Sequence, residues 1–134
     1  PMPRSMLVKD HMVTNVITLD PDMEILGATQ VLIRHDISGA PVLDKHGRLI
    51  GMLTERDCMR VTLHAGYHGA PGGLVRDYMS PAPVSVSPED TILEVAERFV
   101  NERYRRYPVL DGGRLVGVIS RREVMRAMGH HYPT

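Results

Sequence analysis

A repeat constrains this chain more than any other feature. Asp10-His11-Met12 recurs as Asp77-Tyr78-Met79, and Pro21 followed by Ile25-Leu26 recurs as Pro88 followed by Ile92-Leu93, each pair 67 positions apart. Pro41-Val42-Leu43-Asp44 matches Pro108-Val109-Leu110-Asp111 at the same offset. Arg48-Leu49-Ile50-Gly51 matches Arg114-Leu115-Val116-Gly117 at 66, one turn residue having been lost between. Ordered self-similarity of this extent marks two copies of one structural unit. Copy one spans residues 8–64, a linker covers 65–74, and copy two spans 75–128.

Each copy reads as strand, helix, strand, strand, helix, a mixed α/β (α+β) unit. Val16-Ile17-Thr18 and Val84-Ser85-Val86 are short runs with β-branched residues, stopped by Asp20-Pro21 and Ser87-Pro88, which predict cap-then-proline helix starts. In copy two, Ile92, Val95, Ala96, Phe99 and Val100 form the i, i+3, i+4, i+7, i+8 stripe of a core-facing helix. Ala40 to Leu43 with Leu49 to Leu53, and Tyr107 to Leu110 with Leu115 to Ile119, predict hairpins closed by Asp44-Lys45-His46-Gly47 and Asp111-Gly112-Gly113. Thr54 and Ser120 are the predicted caps of the second helices, which carry Met59, or Val124 and Met125, on an apolar face. His64 to Gly73 is rich in glycine and without periodicity, hence a predicted loop, and Gly129 to Thr134 reads as a loose tail. One small sheet cannot bury both its faces alone. The copies are therefore expected to pack sheet against sheet with pseudo-twofold symmetry, leaving two related clefts.

Composition narrows the function. Sixteen basic and sixteen acidic residues cancel, and aromatics make up only 4% of the chain, so neither nucleic acid nor a membrane surface is an expected partner. Any anion site must be local, and the basic residues are mostly arginine, the side chain suited to bidentate capture of phosphate. Cys58 is the only cysteine, which excludes an intrachain disulfide and fits a reducing, cytoplasmic location; packing is its expected role. No nucleophile-base pair, metal-ligand set or phosphate loop is visible, so the chain is not expected to be an enzyme. His64 and His68 are spaced i, i+4, and His130-His131 lie near the end, but loop histidines without an acid or cysteine cluster read as solvated rather than metal-binding.

The Asp-x-Met openings, the strand Ser38-Gly39-Ala40-Pro41-Val42-Leu43-Asp44, and the paired motifs Gly51-Met52-Leu53-Thr54-Glu55-Arg56-Asp57 and Gly117-Val118-Ile119-Ser120-Arg121-Arg122-Glu123 together resemble the CBS domain, named for cystathionine β-synthase. The resemblance covers about Lys9 to Met128. It implies a cytoplasmic pair that binds AMP, ADP, ATP, NAD or S-adenosylmethionine as a regulatory ligand, often as a homodimer. Cleft one would use Met52, Thr54, Arg56 and Asp57 with Pro83, Val84, Tyr104, Arg105, Arg106 and Pro108. Cleft two would use Val118, Ser120, Arg122 and Glu123 with Thr14, Asn15, Ile17, Ile37, Ser38, Gly39, Ala40 and Pro41. A carboxylate at a helix start can accept both ribose hydroxyls, while the hydroxyl three residues earlier and the helix N–H groups face the phosphate. Copy two departs from the pattern at Glu123, one methylene longer, and at Arg105, where copy one has Ser38. Cleft one is thus the favoured site, and Asp57→Ala is expected to abolish binding there with little loss of fold.

The leading expectation is an energy-sensing regulatory module whose occupancy is read by an unidentified regulated protein. The alternative is a protein-interaction or dimerisation module with vestigial clefts.

Overall fold

A computed structural model describes residues 5–68, 72–81 and 83–131. After a 3-10 turn at Val8–Asp10, the elements run α1 (Ile25–Arg34), β1 (Gly39–Leu43), β2 (Leu49–Thr54), α2 (Glu55–His68), α3 (Val75–Tyr78), β3 (Ser80–Pro81), α4 (Ile92–Asn101), β4 (Arg106–Asp111), β5 (Arg114–Ser120) and α5 (Arg121–His131). Two compact units result, and the chain passes between them twice. One unit comprises Ile17–Pro83, and the other comprises Pro1–Val16 together with Val84–Thr134.

In the repeat-one unit, β1 pairs antiparallel with β2, Gly39 opposite Thr54, and β2 pairs with β3, Gly51 opposite Pro81. The turn of this hairpin is closed by Asp44, whose carboxylate accepts the His46 and Arg48 N–H groups at 2.8 and 2.9 Å. Those bonds, the Arg48 backbone N–H foremost, hold the Asp44 carboxyl below its ordinary pKa. Gly47 takes the φ of +78° that the turn needs. Ile25, Ala28 and Leu32 of α1 pack with Ala40, Val42, Leu53, Val61 and Val75 as the core.

The repeat-two unit repeats this plan. Arg106 stands opposite Ser120 in the β4–β5 pair, and Val13 takes the place of β3, opposite Val118. Its core holds Val8, Ile92, Val95, Phe99, Tyr107, Val109, Ile119, Val124 and Ala127. Each copy's opening therefore completes the other copy's sheet. Val8 is fully buried in the repeat-two unit, its N–H bonded to the Asp90 carbonyl at 2.9 Å, while Val75 is fully buried in the repeat-one unit. The motif glycines make this docking possible. A Cβ on Gly117 would lie 2.7 Å from Met12 Sδ and 2.9 Å from the Val13 carbonyl oxygen, and one on Gly51 would meet Met79 and, at 3.0 Å, the Ser80 carbonyl oxygen.

Several sequence expectations need correction. The predicted first strands, Val16 to Thr18 and Val84 to Val86, shrink to single parallel bridges, Leu19 on Val42 and Val86 on Val109. Leu19 N–H donates to the Pro41 carbonyl at 2.9 Å, and Leu43 N–H to the Leu19 carbonyl at 3.0 Å. One step further, the ladder would need the N–H of residue 41, which proline lacks; Pro108 blocks the other copy in the same way. Asp20-Pro21 and Ser87-Pro88 make turns instead of helix starts, Asp20 accepting the Asp22 N–H at 2.7 Å and Ser87 the Glu89 N–H at 3.2 Å. The helices begin at Ile25 and Ile92. At the latter, Thr91 accepts the Glu94 N–H at 3.1 Å and Glu94 accepts the Thr91 N–H at 3.2 Å, a capping box legible as Thr-x-x-Glu.

Helix α2 continues through the expected loop to His68, and α5 through the expected tail to His131. A glycine costs an exposed helix only about 1 kcal/mol, so Gly66 and Gly129 do not break them. Residues 69–71 of the expected linker and 132–134 of the tail lie outside the described residues. Met59 and Met125 are 65% and 63% exposed, the core faces of their helices being Val61, and Val124 with Ala127. Val100 is 84% exposed, because eight residues carry it roughly 80° around the helix from Ile92. Among the described residues no helix is long and apolar enough to cross a membrane.

Candidate functional site

The two Ser/Thr-x-x-acid motifs sit where β2 and β5 give way to α2 and α5, and in both the acid turns back on its own helix. Thr54 donates to Asp57 Oδ2 through its N–H at 2.9 Å and its hydroxyl at 3.0 Å. Ser120 does the same to Glu123 Oε1, at 2.7 Å from each group. Glu123 thus absorbs its extra methylene without losing the cap. Both acids are nearly enclosed, 2% and 8% exposed.

Their second oxygens differ. Asp57 Oδ1 accepts Arg60 Nη2 at 3.0 Å. Arg126 occupies the position of Arg60 in copy two, yet Glu123 Oε2 takes no hydrogen bond among the described residues. Among the described residues no fully enclosed side-chain polar atom lacks a partner, so this oxygen reaches the surface. The acid with an oxygen to spare is therefore Glu123, whereas the sequence favoured Asp57. With Asp57 in this capping role, Asp57→Ala is expected to cost stability rather than leave the fold untouched. Losing a buried cap that satisfies two Thr54 donors is expected to lower stability by about 1 to 2 kcal/mol. Urea unfolding of the variant measures it, and an unchanged midpoint would contradict the capping assignment.

Around each motif the structure gathers residues that the sequence divided between clefts. In the repeat-one unit, Gly39, Ala40 and Pro41 stand opposite Thr54, Leu53 and Met52, and the Ser38 carbonyl accepts the Glu55 N–H at 2.9 Å. Ala40, Pro41 and Met52 are buried; Ile17, Ile37, Ser38, Gly39, Thr54 and Pro83 are half-buried, and Arg56 is exposed. In the repeat-two unit, Arg106 and Pro108 stand opposite Ser120 and Val118, and Val118 also faces Val13, next to exposed Thr14 and Asn15. Pro108 is buried, Arg106 half-buried, and Val84, Tyr104, Arg105 and Arg122 are exposed. The residue sets expected for cleft one and for cleft two each include members of both compact units. Where the proline block ends the ladders, the backbone of Ile17, Thr18 and Val84 makes no hydrogen bond among the described residues.

Beside these motifs the sequence reading missed a polar cluster. Fully buried Tyr107 donates its hydroxyl to Glu102 at 2.9 Å, Arg98 Nε bonds the same carboxylate at 3.2 Å, and the Arg98 guanidinium lies 4.5 Å from the Tyr107 ring centroid. Arg98 holds the Glu102 carboxyl below its ordinary range, with the Tyr107 hydroxyl as the next cause. Burial, and then the Glu102 carboxylate, push Tyr107 from 10.0 up to about 12. Cys58 is half-buried, and burial, together with Asp57 and Glu55, pushes its thiol up against the opposing hydrogen bond with Thr29; a protonated packing residue results. Of the histidine pairs, the side chains of His68 and His131 lie outside the described residues.

Comparison with known proteins gives one family. The CBS domain matches residues 8–64 and 75–130. An uncharacterised protein of Methanocaldococcus jannaschii is 30% identical over 122 residues, which cover 91% of this chain but only 42% of that relative. Among solved structures, CBSX2 in complex with AMP, a protein of Arabidopsis thaliana, superposes with a TM-score of 0.82 at 25% identity over 92% of this chain and 96% of that one. The CBS domain pair of protein MJ0100, in complex with 5′-methylthioadenosine and S-adenosyl-L-methionine, gives 0.80 at 25% identity over 94% and 98%.

Proposed function

Because this chain belongs to the CBS-domain family, with two matched copies across most of its length, we propose that it is a regulatory module that binds an adenosine-based ligand. The observation that carries this reading is the free backbone left where Pro41 and Pro108 end the parallel ladders, beside a capped carboxylate motif in each copy. Open N–H and C=O groups on an extended segment can read the edge of a purine, and the nearby hydroxyl and carboxylate can hold its sugar. The residues of both sets named from the sequence are retained together as ligand candidates, with Glu123 Oε2 as the first candidate for a ribose hydroxyl. CBSX2 holding AMP and MJ0100 holding S-adenosyl-L-methionine support the ligand class. Ligand occupancy shifts an equilibrium between conformations, and a partner protein responds to that shift.

Thermal melts with AMP, ATP, NAD and S-adenosylmethionine test it. A ligand bound only by the folded state stabilises by about 2.7 kcal/mol at a hundredfold excess over its Kd, a clear rise in midpoint. If none moves the midpoint at millimolar concentration, the second reading takes over, a dimerisation module with vestigial clefts. Full use of both Asp57 oxygens by the protein favours that second reading at copy one. Exposed Leu26, Ile33, Met59 and Leu63 on α1 and α2, with Leu93, Val100, Met125 and Met128 on α4 and α5, support a homodimer. Sedimentation is expected to give a particle of twice the 15.0 kDa chain, and a monomer would rule the dimer out.

A further inference from the structure

Equivalent corners of the two copies carry opposite charge. Arg103, Arg105, Arg106, Arg121 and Arg122 lie where copy one has Asp36, Ser38, Gly39, Glu55 and Arg56. The fold brings these five arginines to one end of the β4–β5 pair. Arg106 stands opposite Ser120, the Arg121 N–H donates to the Arg105 carbonyl at 3.3 Å, and its guanidinium to the Tyr104 carbonyl at 3.2 Å. All but half-buried Arg106 are exposed. Nearby Glu102 is engaged by Arg98 and Tyr107, which leaves Glu123 as the carboxylate inside this corner. That acid is 8% exposed with Oε2 taking no hydrogen bond among the described residues.

We propose that this corner holds the di- or triphosphate tail of a nucleotide, so that ADP and ATP are preferred over AMP. The inference rests on the nucleotide reading above and adds which ligands are selected. The exposed guanidinium groups of Arg103, Arg105, Arg121 and Arg122, crowded at one sheet end, repel one another, and an anion of several charges relieves that repulsion. The first two N–H groups of α5 are already engaged, that of Arg121 by the Arg105 carbonyl and that of Arg122 by Ser120 Oγ at 3.3 Å. Phosphate oxygens fall to the guanidinium forks, which bind them bidentately. In copy one, where Arg60 pairs with Asp57, Asp36 and Glu55 outweigh Arg56, and the corner lacks the excess of cations that a polyphosphate needs.

Calorimetry at fixed ionic strength with AMP, ADP, ATP and inorganic tripolyphosphate tests this on the full chain and on Arg105→Gln/Arg122→Gln, whose fold is checked by circular dichroism. ATP is expected to bind at least about tenfold tighter than AMP, the weight of one charge-assisted contact, and the double variant to shrink that ratio toward one. Equal affinity for AMP and ATP, or a ratio that survives the double substitution, overturns the inference and leaves the nucleotide reading standing. If no adenosine ligand binds, that reading fails, and tripolyphosphate then decides the corner alone: binding lost in the double variant supports it, and no binding refutes it.

Discussion

Removing the chain through Val13 is expected to unfold the repeat-two unit first, although the deleted residues precede repeat one. The deletion takes away the fully buried Val8, the bonds from Val8 N–H to Asp90 and from Lys9 N–H to Pro88, and the pairing of Val13 with Val118. Burying one valine is worth about 1.5 to 3 kcal/mol, and the stripped edge of β5 adds unpaired backbone groups. The sum is a large part of the stability of a small domain, ordinarily about 5 to 15 kcal/mol. Hydrogen exchange checks it: the amides of Tyr107 and Ile119 lose protection well before those of Val42 and Leu53. Val8→Asp repeats the experiment without shortening the chain. Loss of protection confined to copy one would contradict the exchanged openings.

Tyr107→Ala is the second large effect, expected to cost about 3 to 5 kcal/mol by opening a cavity in a fully packed core. Tyr107 stacks on Phe99 at 4.6 Å between centroids, under the Arg98 guanidinium, so truncation removes more than apolar area. Tyr107→Phe keeps the stack and loses only the bond to the Glu102 carboxylate, about 1.5 to 3 kcal/mol, and the difference between the two variants separates packing from polarity. The same hydroxyl sets an alkaline signature. Because the folded-state pKa is raised from 10.0 to about 12, the stabilisation is full below about pH 10 and disappears as pH rises toward 12. Glu102 works in the opposite sense, its contribution holding above the ordinary carboxylate range and fading as pH falls through its lowered pKa. A near-ultraviolet titration should show a late tyrosine ionisation that is absent from Tyr107→Phe. Its persistence in that variant would contradict the burial of this group.

The hairpins were legible in the sequence because their information is local: short continuous apolar runs flanking Asp44-x-x-Gly47 or Asp111-Gly112-Gly113 mark both strands and turn. The stunted first strands could have been read too, since Pro41 and Pro108 announce missing donors. The exchange of openings could not. Val13 meets Val118 across more than a hundred positions, and no local propensity links them. At the candidate site, the motif acids and hydroxyls were located by pattern alone. Their inequality was hidden, because it depends on Arg60 turning to Asp57 while Arg126 leaves Glu123 alone.

The exchanged openings also bear on how the chain can be divided. A cut between the copies separates each opening from the sheet it completes, so the two halves made as separate polypeptides are expected to regain this pairing only by associating.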